Sequence, residues 1–108
     1  MKKILPLLIA GSLASCASNS QLFEVTHIMA EHDSTIDIWS SHAFIRTDIQ
    51  ITRDSIHFFQ ACGEYNKMIK TESIDFTHVL DVTDSTLVIQ QPDQVTTYML
   101  FNLQNHYE

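Results

Sequence analysis

The residues of this 108-residue chain best equipped for chemistry are its six histidines and two cysteines. His27, Glu31, His32 and Asp33 lie close together, and imidazole with carboxylate is a ligand set for a metal such as zinc. The two histidines are not an i, i+4 helical pair, and no recognised ligand spacing surrounds them. We therefore expect no metal site and no cofactor. His78 sits inside Ile74-Asp75-Phe76-Thr77-His78-Val79-Leu80-Asp81-Val82, on the face shared by Ile74, Phe76, Leu80 and Val82. An imidazole on an apolar face needs a hydrogen-bond partner. A threonine or glutamine across the sheet would supply one, with Gln91 opposite in the simple register. A second reading has His78 and Thr47 orienting a small apolar ligand in a cavity beside Phe58 and Phe76. Cys62 follows Phe58, Phe59 and Ala61, so its thiol is expected to be buried and inert. Nucleophilic catalysis would need Cys62 or a serine beside a base such as His78. No G-x-S-x-G, C-x-x-C or phosphate-binding loop occurs, and the chain does not read as an enzyme.

The elements that must position these groups are strands. Apolar and polar residues alternate in Ile36-Asp37-Ile38-Trp39, again in Ile45 to Ile51, and again in Ile74 to Val82. Such a two-residue period marks a half-buried strand. Leu22 to Glu31 fits a helical face through Leu22, Val25 and Met29, or a strand face through Phe23, Val25 and Met29. A strand is favoured because the turn Asp33-Ser34 and an alternating run follow. A two-residue loop near Asp54 would put Ile49, Ile51, Ile56 and Phe58 on one face of an antiparallel hairpin. Gln60 to Lys70 breaks the rhythm and contains Gly63, so we expect a loop with a tight turn there. Asp84-Ser85 should pair Val82 with Leu87 and Leu80 with Ile89. Gln91-Pro92-Asp93-Gln94 is a further turn. Val95 to Leu103 is apolar on both faces, so it should be central or covered, and three- or four-residue loops would point opposite faces inward. Asp-Ser recurs at 33–34, 54–55 and 84–85, each time before a strand. This is reused turn chemistry. The expected fold is all-β: a small antiparallel meander forming a barrel or curled sheet, after an N-terminal signal segment.

That segment begins Met1-Lys2-Lys3 and continues with an apolar run from Ile4 to Leu13. Charge followed by a run too short to span a bilayer has the form of a secretory signal peptide. Leu13-Ala14-Ser15-Cys16 resembles the lipobox of bacterial lipoproteins. The resemblance implies cleavage before Cys16, a diacylglycerol thioether on that cysteine and acylation of the new amino terminus. Two or more chains, palmitate among them, hold a protein stably at a membrane. The implied organisation is a signal peptide at 1–15, an acylated cysteine and tether at 16–21, and one small β domain at 22–108. Ala17 is not the aspartate that retains many such proteins in the inner membrane, so in a diderm envelope the resemblance points to the outer membrane.

The strand pattern resembles the small lipocalin-like barrels found in many bacterial lipoproteins, which implies a binding module for a small apolar ligand. The glycine-tryptophan signature of lipocalins is absent, since Ile38 precedes Trp39. Cys62-Gly63-Glu64-Tyr65 resembles the inhibitory loop of small lipoproteins that block cell-wall-degrading enzymes. It departs from them in having cysteine for serine and in lacking their disulfide.

The chain has six basic and thirteen acidic residues. Removal of Lys2 and Lys3 leaves four basic residues and a net charge of −9. No basic patch can form, which excludes nucleic acid and anionic headgroups as partners. Such acidity keeps a domain soluble and also suits a basic partner protein or a cation. Three classes of function follow. A ligand carrier would line its interior with Ile49, Ile51, Phe58, Phe76 and Leu80. An interaction module would expose a patch on the 60–70 loop or on the outer face of 95–103. An enzyme would converge His78 and Cys62 in one cleft. Small barrels usually fill their interiors with side chains. We therefore expect a non-catalytic protein-interaction or structural module, held at the membrane by Cys16.

Overall fold

A computed structural model describes residues 20–103. The expected signal segment, Cys16 and the residues from Gln104 onward lie outside the described residues. The chain forms one antiparallel sheet from eight strands: β1 (Gln21–His32), β2 (Thr35–Ser40), β3 (Thr47–Ile51), β4 (Ile56–Cys62), β5 (Lys67–Ile74), β6 (Val79–Val82), β7 (Thr86–Gln91) and β8 (Gln94–Asn102). Their order across the sheet is β5-β4-β3-β1-β8-β7-β6, with β2 attached to β1 beside β3. The sheet is a curled half-barrel. It is not a simple meander, because β1 sits at its centre between β3 and β8.

β1 resolves the ambiguity of its sequence. Phe23 and Val25 point into the curl. The ladder to β8 then slips between Val25 and His27. The extra residue of this bulge shifts the phase, so Ala30 is the next fully buried position and Ile28 packs beside the core. Met29 is therefore on the opposite face, contrary to the uninterrupted strand pattern.

The curl follows from a short connection. β5 and β6 are the two ends of the strand order, yet only residues 75–78 join them. Five Cα steps at no more than about 3.6 Å each bring the two ends within roughly 18 Å of one another. The sheet must bend into a half-barrel to satisfy that. Its concave side is filled by Phe23, Ile49, Ile56, Leu87 and Val25, all fully buried.

The β3–β4 hairpin has the expected face, with Ile49 opposite Phe58 and Ile51 opposite Ile56. Its turn is held by the Thr52 hydroxyl, which donates to the Ser55 carbonyl at 3.0 Å and accepts from the Ser55 amide at 3.1 Å. Pro92-Asp93 forms a two-residue loop, shorter than either length considered, with Gln91 opposite Gln94. This turns Thr96, Tyr98 and Leu100 inward. β8 is central, between β1 and β7.

Four sequence readings are corrected. Residues 60–70 are the ends of β4 and β5, and only Gly63 to Asn66 makes the turn. Gly63 has φ +84° and Asn66 φ +52°, the conformation that glycine and asparagine tolerate best. β5 is exposed along nearly all its length, so no burial imposed an alternation on its residues. Ile74 to Val82 is not one strand. It breaks at 75–78, and a slip between Val79 and Asp81 places Val79, not Leu80, opposite Ile89. Leu80 is consequently 56% exposed, while Val79 is buried. Cys62 is exposed at the end of β4 and is not a core residue. Ile45, expected within a strand, lies exposed ahead of β3.

Candidate functional site

The open side of the half-barrel forms a cleft of about 210 Å³ between β4–β5 and β7–β8. Its floor is aromatic: the rings of Phe58 and Tyr98 are tilted against each other with centroids 5.5 Å apart. Ile74 and Ile89 form the walls, and Glu72, Asp75, His78 and Gln91 supply polar groups. Burial pushes the Tyr98 phenol above its ordinary value of 10.0, and the nearby Glu72 carboxylate pushes the same way. Asp75 accepts a hydrogen bond from the Thr77 amide at 3.0 Å. That bond, with the Thr77 hydroxyl and then His78, holds the exposed Asp75 carboxyl below its usual range. At the far end, the buried Thr96 hydroxyl is hydrogen-bonded to Gln91 and to Gln94.

The four residues expected to bind a ligand divide. Phe58 and His78 reach this cleft. His78 is not a buried strand residue, because it lies exposed in the 75–78 turn. Its carbonyl, rather than its ring, meets β7 by accepting from the Gln90 amide at 2.8 Å. Phe76 packs partly buried against the core from the same turn. Thr47 is buried on the inner face but pairs with Gln60, at the opposite end of β3 from Ile51. Four residues at about 3.3 Å each put it roughly 13 Å along the strand from Ile51, and it does not line the cleft. Its hydroxyl donates to the Ile45 carbonyl at 2.9 Å. Cys62 is likewise remote, six residues along β4 from Ile56, so the fold does not bring it to His78. Cys62 instead borders an open hollow at the β4–β5 turn with Arg46, Gly63 and Met68.

The histidine and carboxylate cluster around His27 also disperses. His27 bonds the Thr26 hydroxyl at 3.2 Å, while His32 meets Asp37 across the β1–β2 hairpin at 3.0 Å. Among the described residues no group of three His, Cys, Asp or Glu side chains is placed to hold a metal ion.

Two features escaped sequence reasoning. Arg46 bonds Asp48 through two guanidinium nitrogens at 3.0 and 3.3 Å and reaches Glu24 at 3.9 Å. Glu24 and Asp48 are direct cross-strand partners. Like charges so placed repel, and Arg46 offsets that repulsion. The i, i+2 spacing of Arg46 and Asp48 was visible, but their pairing with Glu24 needed the register. The second feature is β2. Among the described residues it pairs only with β1, and Ile36, Ile38 and Trp39 are 58, 64 and 40% exposed. Ile38 is opposite Met29, and the alternation puts Ile36 on the same outer face. An apolar edge strand is a template for pairing with another chain. The other two terminal strands are blunted: β5 carries Lys67, Lys70 and a slip after Phe58, and β6 has four residues and its own slip. The patches expected from sequence are present as well, with Tyr65 90% exposed at the β4–β5 turn and Met99 and Phe101 exposed on β8.

Comparison with protein-family models, curated proteins and solved structures finds no match.

Proposed function

We propose that this protein is an envelope lipoprotein, anchored through lipid on Cys16, whose β domain is a non-catalytic protein-interaction module. The observation that carries the reading is β2, an apolar edge strand left bare among the described residues, in a domain whose other edges are guarded. The interior supports it from the other side. Side chains fill the concave face, and the cleft at the mouth, about 210 Å³, is smaller than the roughly 300–1,000 Å³ typical of small-molecule pockets. By the lipobox resemblance the protein resides in the cell envelope, at the outer membrane in a diderm bacterium.

Two experiments test this. Cys16→Ala should release the protein from the membrane fraction; a variant that still pellets with membranes defeats the anchor. A photo-crosslinking amino acid placed singly at Trp39, Tyr65 and Phe101 in living cells should give a discrete adduct with one identifiable protein from at least one position. No adduct from any of the three overturns the interaction module. The aromatic cleft favours one competing reading, a carrier of a small apolar ligand. Native mass spectrometry decides between them: a bare polypeptide mass is expected, and a few hundred daltons lost on denaturation would establish the carrier.

A further inference from the structure

The bare edge also specifies what would cover it. We propose that β2 binds an extended cationic segment of a partner protein by strand addition, the segment alternating apolar and Arg or Lys residues. The proposal rests on the interaction reading and assigns it a surface and a partner chemistry.

The first argument is charge. Across the β1–β2 hairpin, from His27 to Ser40, the chain carries Glu31, Asp33 and Asp37 and no lysine or arginine. Arg46, the nearest cation in sequence, is engaged by Asp48 and Glu24. The β1–β2 hairpin is therefore an anionic edge, and opposite charge across an interface steers encounter and fixes register. A second copy of this chain would bring the same carboxylates to the same edge, where like charges are costly.

The second argument is the alternation of β2. Added strands take affinity from main-chain hydrogen bonds and specificity from alternate side chains. On the outer face Ile38 lies opposite Met29 and Ile36 opposite Glu31, and both isoleucines are themselves exposed, so residues laid beside them should be apolar. On the other face lie Asp37 and Trp39. A guanidinium or ammonium there can pair with the carboxylate and stack on the indole. Asp37 is already held by His32, half-exposed, so a stronger cation can displace or share that contact.

Trp39 is the single tryptophan of the chain, which makes the test direct. The full chain, purified from membranes in uncharged detergent, is titrated with an eight-residue peptide alternating valine and arginine, and with its valine-glutamate counterpart. The arginine peptide should shift Trp39 fluorescence, bind at least tenfold more tightly than the glutamate peptide, and slow amide exchange in 35–40. Its affinity should fall severalfold as salt rises from about 50 to 300 mM, because the charges are exposed. Ile38→Lys should weaken binding at least tenfold while leaving the far-ultraviolet spectrum unchanged. Equal binding of both peptides, no binding, protection at 67–74 or 79–82 instead, or indifference to Ile38→Lys overturns the proposal. So does a dimer whose 35–40 amides are protected before peptide is added, which would make a second copy the occupant. Failure here with adducts captured from Tyr65 or Phe101 leaves the interaction reading standing; failure with no adduct anywhere removes both.

Discussion

One edge of β1 serves two neighbours that differ in almost every respect. Its N-terminal half, Gln21 to Glu24, pairs with β3; its C-terminal half, His27 to His32, pairs with β2. β3 is in turn covered by β4 and then β5, and four of its five residues are buried. β2 is covered by nothing among the described strands, and none of its residues is buried. Both strands run in the same direction along β1, separated by residues 41–46. That excursion, with its single 3-10 turn at Ser41–Ala43, decides which half is continued into the sheet. A single edge therefore carries both a strand that is almost wholly buried and a strand with no buried residue.

The largest effect should come from testing this contrast in stability. Phe23→Ala, on the β3 half, should destabilise the domain by about 3–5 kcal/mol, as for other buried phenylalanines. Trp39→Ala, on the β2 half, should cost less than about 1 kcal/mol despite removing a larger side chain. Urea unfolding of the two variants measures both, and equal losses would erase the distinction between the halves. Arg46, at the boundary, should rank between them. Arg46→Met leaves Glu24 and Asp48 facing each other, with Asp48 buried, and should cost about 1–2 kcal/mol. The half-exposed guanidinium keeps the figure at the lower end of the range for a lost charged partner. A loss no larger than that of Trp39→Ala would show that the boundary is not pinned there.

The smallest effect sharpens the comparison at the mouth. The Tyr98 phenol is raised above 10.0 by burial, so the folded state favours its neutral form. Its contribution to stability is present below about pH 10 and is lost as pH rises through the raised value. Once the hydroxide-catalysed rise in intrinsic exchange is divided out, protection around β7 and β8 should therefore fall in alkaline solution before protection in β2 does, and Tyr98→Phe should remove that component. An equal response in β2 would mean that the two regions unfold as one unit.

The hairpins β3–β4 and β6–β7 were legible because Asp-Ser turns separate strands whose buried faces impose a two-residue period. Val82 beside Leu87 follows directly. β5 was not legible, since a strand exposed on both faces has no reason to alternate. The candidate site was only half legible. Phe58 could be placed because its neighbours Ile49, Ile51 and Ile56 fix the inner face, whereas His78 was misplaced because the run from Ile74 to Val82 breaks into a turn at 75–78, and Leu80 because the ladder slips between Val79 and Asp81. The bareness of β2 could have been suspected from an alternating run without lysine or proline, but not asserted.

The sequence by itself determined the all-β class, the three Asp-Ser turns and the acidic character of the domain, because each depends on local conformational preference or on composition. Only the tertiary structure decided which strands lie side by side, where the ladders slip, and which edge is left uncovered. Those are outcomes of pairing between residues distant in the chain, such as Glu24 with Asp48 and Val25 with Leu100. Local preferences make strands, and the competition among strands for β1 leaves β2 exposed.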